Sequence, residues 1–271
     1  MAQILENLSV DSLAVKLGLS KTALIDLVKD VPRLYYEISI PKKDGSERKL
    51  EIPLPIFKKL QKRLLDRILH KIPTHPKLYG RPGTSTKKAV KEHVKKEAVI
   101  TMDITNFFLS TKSACVKNML IENGSRDDVA KLLTRLVTHK KHLPQGSPTS
   151  PCIARLMLQG FAEGLEKFLK QIPYSAFSIY VDDITISGPK GIKHAKSIVK
   201  KILKRYGYDI NESKTKIMNQ TEEQISLNIR LNERIEATTQ FLKEIEELEK
   251  EVPPYDTQLL GKKSYIKYLM K

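Results

Sequence analysis

Ser178-Ile179-Tyr180-Val181-Asp182-Asp183-Ile184-Thr185-Ile186-Ser187 is the stretch on which the reading of this chain turns. Two β-prone runs, Ser178 to Tyr180 and Ile184 to Ser187, flank Val181-Asp182-Asp183, which predicts a tight hairpin with adjacent carboxylates at its tip. Neighbouring carboxylates repel, so keeping both ionised in a partly dry site requires a cation. Ligands made only of oxygen suit Mg²⁺, with Mn²⁺ as the alternative ion. An Asp-Asp pair in a β-turn ordinarily serves only the turn. The hairpin therefore gains meaning only from its company.

The first companion is Asp103. Ala98-Val99-Ile100-Thr101-Met102-Asp103-Ile104 is a mostly apolar strand leading into Phe107-Phe108, and an acid near the end of a buried strand needs a partner or a job. If Asp103 approaches the hairpin, three carboxylates can hold two ions about 4 Å apart, the arrangement used for in-line displacement at phosphorus. One ion would activate a primer hydroxyl and the other would stabilise the pyrophosphate leaving group.

Further from the hairpin the chain predicts a mixed α/β (α+β) fold. Apolar residues around Gly18-Leu19-Ser20 read as two short packing helices, with Ser20 capping the second. Leu34 to Ile40 and Arg48 to Ile52 read as a basic β-hairpin turning at Lys43-Asp44-Gly45-Ser46. Ile56, Leu60, Leu64, Ile68 and Ile72 have helical spacing, ended by Pro73. Leu143 to Pro151 is a rigid Pro- and Gly-containing loop, and Ser150-Pro151 starts a helix carrying Ile153, Met157, Phe161, Leu165 and Phe168. A helix is expected near 191–206, and a charged one from Glu233 to Glu251 before a Pro253-Pro254 hinge.

Lys and Arg total 48 against 31 acids in 271 residues, a formal net charge of +17. That surplus favours a polyanionic partner, because each phosphate neutralised releases condensed counterions. Lysine pairs recur at 42–43, 58–59, 87–88, 95–96, 140–141, 200–201 and 262–263, as expected of a channel lined from several segments. No apolar run reaches the roughly 18 residues of a membrane span. Without a basic-apolar leader in Met1-Ala2-Gln3-Ile4-Leu5-Glu6, the expectation is a cytoplasmic protein with no membrane partner. Cys115 and Cys152 are too few for a disulfide scaffold and are expected as reduced core thiols.

Taken in chain order, the motifs are specific. Ile40-Pro41-Lys42-Lys43-Asp44-Gly45, Met102 to Phe108, Leu143 to Pro151, Tyr180-Val181-Asp182-Asp183 and Gly207 to Thr215 together resemble a reverse transcriptase of the bacterial retron type, an RNA-directed DNA polymerase. The resemblance implies a right-hand polymerase: an N-terminal helical segment at 1–33, fingers at 34–97, and a palm at 98–222 to which 120–150 adds a fingers/palm piece. A small thumb would occupy 223–271.

It also implies roles. Asp103 and Asp182 match the principal metal ligands, Asp183 the second hairpin aspartate, and the Ile104 backbone a further metal contact. Lys43, Arg48, Phe107, Phe108, Gln145 and Lys214 match positions around the incoming dNTP. Phe108 lies where a bulky aromatic would clash with a ribose 2′-hydroxyl. Arg81, His93 and Tyr180 are expected along the nucleic acid, with a structural role the stronger reading for His93. Ile225-Ser226-Leu227 stands where retron enzymes usually carry Val-Thr-Gly.

The partners implied are a structured non-coding RNA serving as template and primer, its DNA product, dNTPs, and an effector protein of a phage-defence system. The competing readings are a protein-primed or untemplated defence enzyme and an RNA-binding scaffold that no longer polymerises. Three acids gathered without other purpose argue against the scaffold.

Overall fold

The computed structural model describes residues 3–41, 45 and 47–270. Lys43 and most of its turn lie outside them. The chain forms two compact units that do not follow chain order: residues 1–76 with 105–160, and residues 77–104 with 161–271.

In the first unit, the helices Val10–Leu17 and Lys21–Asp30 are separated by Gly18 and capped by Ser9 and Ser20. Leu13, Leu17 and Leu24 are fully buried, so this pair is core-forming; Val15, on the opposite face, is 73% exposed. Strands β1 (Tyr35–Pro41) and β2 (Glu47–Pro53) pair antiparallel as the predicted hairpin. Proline at the start of Pro55–Arg67 fits a helix's first turn. That helix stops at Arg67, short of Ile72, and the chain continues as a 3₁₀ turn over Leu69–Lys71.

Gln61 on this helix is buried and holds three segments together. Its amide nitrogen donates to the Tyr35 hydroxyl (2.8 Å) and the Leu136 carbonyl (2.9 Å), and its oxygen accepts from Ser147 Oγ (3.0 Å). The 143–150 loop is thereby tied to the core, and Ser150 Oγ closes it on the Pro144 carbonyl at 2.8 Å. The helix that follows is interrupted. Ser150–Met157 gives way at Leu158 to Gln159–Leu169, so the apolar spacing read as one helix belongs to two.

The second unit is built on a five-stranded sheet of order β3 (Leu78–Tyr79), β5 (Ala176–Tyr180), β6 (Asp183–Gly188), β4 (Ala98–Ile104), β7 (Ile210–Asn219). All pairings are antiparallel except β3 with β5. The central strands bury both faces, which is why β4 reads as an almost unbroken apolar run. The helix after β6 begins as a 3₁₀ turn, Lys190–His194, and runs as Ala195–Arg205.

The C-terminal helix differs from expectation. The residues from Glu233 do not start it, because β8 (Ile225–Ser226), β9 (Ile229–Arg230) and β10 (Glu236–Ala237) form a small sheet first. Arg230 stands opposite Glu236 and ion-pairs with it, and Ala237 is buried in a cluster with Val90, Ile229, Leu231 and Leu269. Thr238 then caps the helix Thr239–Glu251, and Thr257–Met270 follows the Pro253-Pro254 break. Cys152 is buried, but Cys115 is exposed, on the solvent side of Ser113–Glu122 rather than in the core. Among the described residues no helix is long and apolar enough to cross a membrane.

Candidate active site

Antiparallel pairing of β4 with β6 sets Asp103 directly opposite Asp183. Opposed residues project from the same face, so the two carboxyl groups share one face at the end of this interior strand pair. Asp182 holds the second place of the two-residue turn between β5 and β6, and its carbonyl accepts the Ile104 N–H at 3.1 Å. Three acids and the Ile104 backbone are thus gathered within the second unit.

The turn carries strain. Val181, its first residue, has φ 59°, a left-handed conformation that β-branched residues rarely adopt. Such a residue costs about 1–3 kcal/mol and persists only where its surroundings over-determine it. Gly80 is one of those surroundings: a Cβ there would come within 3.2 Å of Val181 Cγ2.

Lys214 reaches the acids through an irregularity in β7. Thr101 pairs with Lys216 and Asp103 with Asn211, so residues 212–215 bulge out of register. A bulge re-aims side chains. Lys214 Nζ ends 3.3 Å from Asp103 Oδ2, while Glu212 turns to the helix Ala195–Arg205 and ion-pairs with Lys196 and Lys200. Thr215 Oγ1 and Ser213 Oγ tie the bulge to the carbonyl and side-chain oxygens of Asn211.

Burial, then the negative charges of Asp182 and Asp103, push the Asp183 carboxyl up to about 6, against the opposing pull of Lys214. Asp183 nevertheless reaches solvent at the hairpin tip, which weakens the effect of burial and leaves repulsion from Asp182 and Asp103 as the persistent cause. A carboxyl that holds its proton this tightly marks negative potential that a lysine only partly balances. The donor set, all oxygen and over-supplied with negative charge, fits a divalent cation.

The remaining predicted residues divide. Tyr180 is half-buried opposite Asp183, and Arg81 is exposed in a turn fastened by Thr84. His93 is fully buried: its ring nitrogens lie 2.7 Å from Ser187 Oγ and 2.9 Å from Ser178 Oγ, joining β6 to β5. Burial drives its pKa down to about 3, so the ring is neutral. Expectation of a nucleic-acid contact through this side chain does not hold, since no solvent-facing edge exists.

Arg48, Phe107, Phe108 and Gln145 belong to the first unit. Arg48 is exposed on β2. Phe107 is 2% exposed and is a core residue rather than a nucleotide contact, while Phe108, its ring centroid 5.9 Å away, is half-buried. Gln145 is also half-buried, its backbone carbonyl accepting the Glu51 N–H at 2.7 Å. Lys43 lies outside the described residues.

Glu212 and the two serines around His93 escaped the sequence reading. A signal existed for the first: Lys196 and Lys200 are four apart on one helix face and call for an acid. The serines carry none, because their pairing depends on a residue about ninety positions away.

The fold is a mixed helix and sheet architecture of the reverse transcriptase type. The chain belongs to the reverse transcriptase (RNA-dependent DNA polymerase) family, whose model matches residues 40–269. It is 32% identical over 235 residues to the retron Se72 reverse transcriptase of Salmonella heidelberg (strain 579083-10), covering 82% of this chain and 60% of that protein. Against the retron Mx65 reverse transcriptase of Myxococcus xanthus it is 28% identical over 227 residues, covering 76% and 53%. The chain thus spans little more than half the length of these relatives. Among solved structures, an apo telomerase from Candida tropicalis truncated from its C-terminal domain shares the fold, with TM-score 0.55, 13% identity, and coverage of 81% of this chain and 61% of that one.

Proposed function

We propose that this chain is an RNA-directed DNA polymerase that extends a primer on a structured non-coding RNA, in the manner of a retron enzyme making a branched RNA–DNA product for phage defence. The observation that carries the reading is the pairing of Asp103 with Asp183, with Asp182 in the adjoining turn and Lys214 delivered to the same end of these strands.

Asp103, Asp182 and the Ile104 carbonyl would hold two Mg²⁺ ions, with Asp183 in support. Bound there, the ions supply the positive charge that makes a primer 3′-hydroxyl a better nucleophile and a pyrophosphate a better leaving group. The residues themselves do the holding and the proton work. The acids repel one another until cations arrive, so the site is selective for ligands that bring positive charge. Lys214, an ammonium beside Asp103, is placed to give a proton or a charge-assisted hydrogen bond to the departing pyrophosphate. Phe108, as the residue that would exclude a 2′-hydroxyl, and Gln145 and Arg48, as nucleotide contacts, are carried by the family resemblance alone.

The formal charge of +17 supports a polyanionic substrate. A cleft of about 550 Å³ in the second unit is lined by Lys87, Lys91, Arg230 and Arg234 together with Glu233 and Glu236, a small surplus of positive charge.

The test is primer extension by purified protein with Mg²⁺, dNTPs and a primed RNA. Labelled DNA is expected from the parent and none from Asp182→Asn. Equal product from both would end the proposal. Sequencing co-purified nucleic acid addresses the finer reading: one abundant small RNA joined to DNA is the retron outcome.

A further inference from the structure

Outside the acidic site, one cluster of ligating side chains stands out in the first unit. His139-Lys140-Lys141-His142 forms a two-residue reverse turn, both lysines having positive φ (45° and 66°), and His139 and His142 exchange backbone hydrogen bonds at 2.9 Å in each direction. Residues paired this way present their side chains to one side. That side faces β2: His142 Nε2 lies 2.9 Å from Glu51 Oε2 and His139 Nε2 lies 3.8 Å from Glu51 Oε1. Glu37, the cross-strand partner of Glu51, joins Glu51 and His139, one ligand atom from each of the three lying within 4.8 Å of the others.

His142 has a donor problem. Both ring nitrogens face acceptors, and in the tautomer that donates Nδ1–H to the Lys140 carbonyl oxygen, 3.1 Å away, Nε2 carries no hydrogen. A neutral ring then turns the lone pair of Nε2 on a carboxylate oxygen 2.9 Å away, two acceptors face to face. A cation between them, a second proton on the ring or a metal ion, removes this clash, whereas the Nε2–H tautomer removes it only by giving up the Lys140 contact. An imidazole whose far N–H is held by a backbone carbonyl is the arrangement found around ligating histidines.

We propose that Glu37, Glu51 and His139 form a transition-metal site of the Zn²⁺ type, with His142 or water as fourth ligand. Tetrahedral Zn²⁺ with bonds of about 2.0–2.2 Å spaces its ligand atoms on the order of 3.3 Å apart; each histidine stands near that spacing from its own Glu51 oxygen, His139 from Oε1 and His142 from Oε2. His139 is stacked on Tyr35 at 4.4 Å between centroids, which fixes its ring. Burial lowers its pKa, which keeps the lone pair that a ligand requires. Glu51 and His139 are 6% and 7% exposed, so this carboxylate is already withdrawn from water and in need of compensation. Glu37 is ion-paired to Lys140, and joining the metal would mean releasing that lysine to solvent.

Occupancy would clamp the β1–β2 hairpin to the turn that leads into the Gln145 loop, where the Glu51 N–H already meets the Gln145 carbonyl. The inference does not rest on polymerase activity, and its test does not read it. Zn²⁺ is titrated calorimetrically into the metal-free whole chain in excess Mg²⁺, which imidazole ligands discriminate against. One equivalent of Zn²⁺ and a raised unfolding midpoint are expected, and Co²⁺ should give the visible absorption of a four-coordinate site.

His139→Ala and Glu37→Gln should each weaken Zn²⁺ by about tenfold or more, the loss that follows even from removing a supporting hydrogen bond. The Asp103→Asn/Asp182→Asn double variant should bind Zn²⁺ as the parent does. Circular dichroism checks each fold, and Glu51→Gln, expected to weaken Zn²⁺ to the same extent, replaces a variant that fails to fold. No Zn²⁺ bound by the parent, or binding unchanged in these variants, overturns the site. So does nitrogen NMR showing His139 doubly protonated at neutral pH with Zn²⁺ present.

Discussion

Lys214 Nζ stands 3.3 Å from Asp103 Oδ2 because β7 slips register between its pairings with Thr101 and Asp103. A strand in regular register would alternate its side chains and leave this ammonium to chance. The bulge converts an exposed lysine into a member of the acidic site. Lys214→Met should lower the rate of nucleotide addition by about 100-fold or more, the range for a lost acid–base group. Single-turnover primer extension reads this. Lys214→Arg, which keeps charge but not a transferable proton, should recover nucleotide affinity without recovering the rate.

Asp183 supplies the pH dependence. Its carboxyl is raised to about 6 from an ordinary 3.8, so between those values the folded chain binds more protons than the unfolded one. This group's contribution to stability is therefore full below about pH 4 and is lost as pH rises through 6. Mg²⁺ should reverse the loss by binding the ionised form. Thermal unfolding without metal should give a higher midpoint for Asp183→Asn than for the parent at pH 7, and Mg²⁺ should raise the parent more than the variant.

His93 has the opposite sign. It stays neutral down to about pH 3 when folded, whereas an unfolded histidine protonates near 6.5. The unfolded state binds the extra proton, so this contribution falls as pH drops from about 6.5 towards 3. His93→Leu would strand Ser178 and Ser187 in the sheet and should cost about 2–4 kcal/mol. Denaturant titrations at pH 7 and pH 5 should show a smaller pH difference in the variant.

Gly146 holds the Gln145 loop against β2. Its φ is 126°, and a Cβ would meet the Glu51 carbonyl oxygen at 2.8 Å, a backbone atom with no room to give. Gly146→Ala should cost about 1–3 kcal/mol and raise the KM for dNTPs. Steady-state kinetics with the midpoint of urea unfolding separates the two effects.

Phe108 tests sugar discrimination. Half-buried beside the fully buried Phe107, it has an accessible edge that its neighbour lacks. Phe108→Val should raise ribonucleotide incorporation relative to deoxynucleotide, read as a ratio of kcat/KM values. Phe107→Val should instead lower stability, by about 1–3 kcal/mol for lost core volume.

Much of the local structure was legible because it depends on near neighbours. The β1–β2 hairpin, the Ala98–Ile104 strand, the Ser20 cap and the Ser150-Pro151 helix start all follow from spacing and cap chemistry. The misreadings share a cause. Glu233 to Ala237 looks helical by composition, but Arg230 and the Val90 cluster capture it as a strand. Phe107 and Phe108 are alike as residues, and only packing buries one and leaves the other an open edge.

The sequence by itself determined which residues carry charge and which stretches turn: Asp182-Asp183 in a hairpin, Asp103 on an apolar strand, and a surplus of cations. Only the tertiary structure decided that Asp103 faces Asp183, that Lys214 joins them and that His93 does not. Strand register, a bulge and long-range burial set those relations, and each is fixed by contacts between residues dozens of positions apart. Local spacing cannot encode a partner that distant.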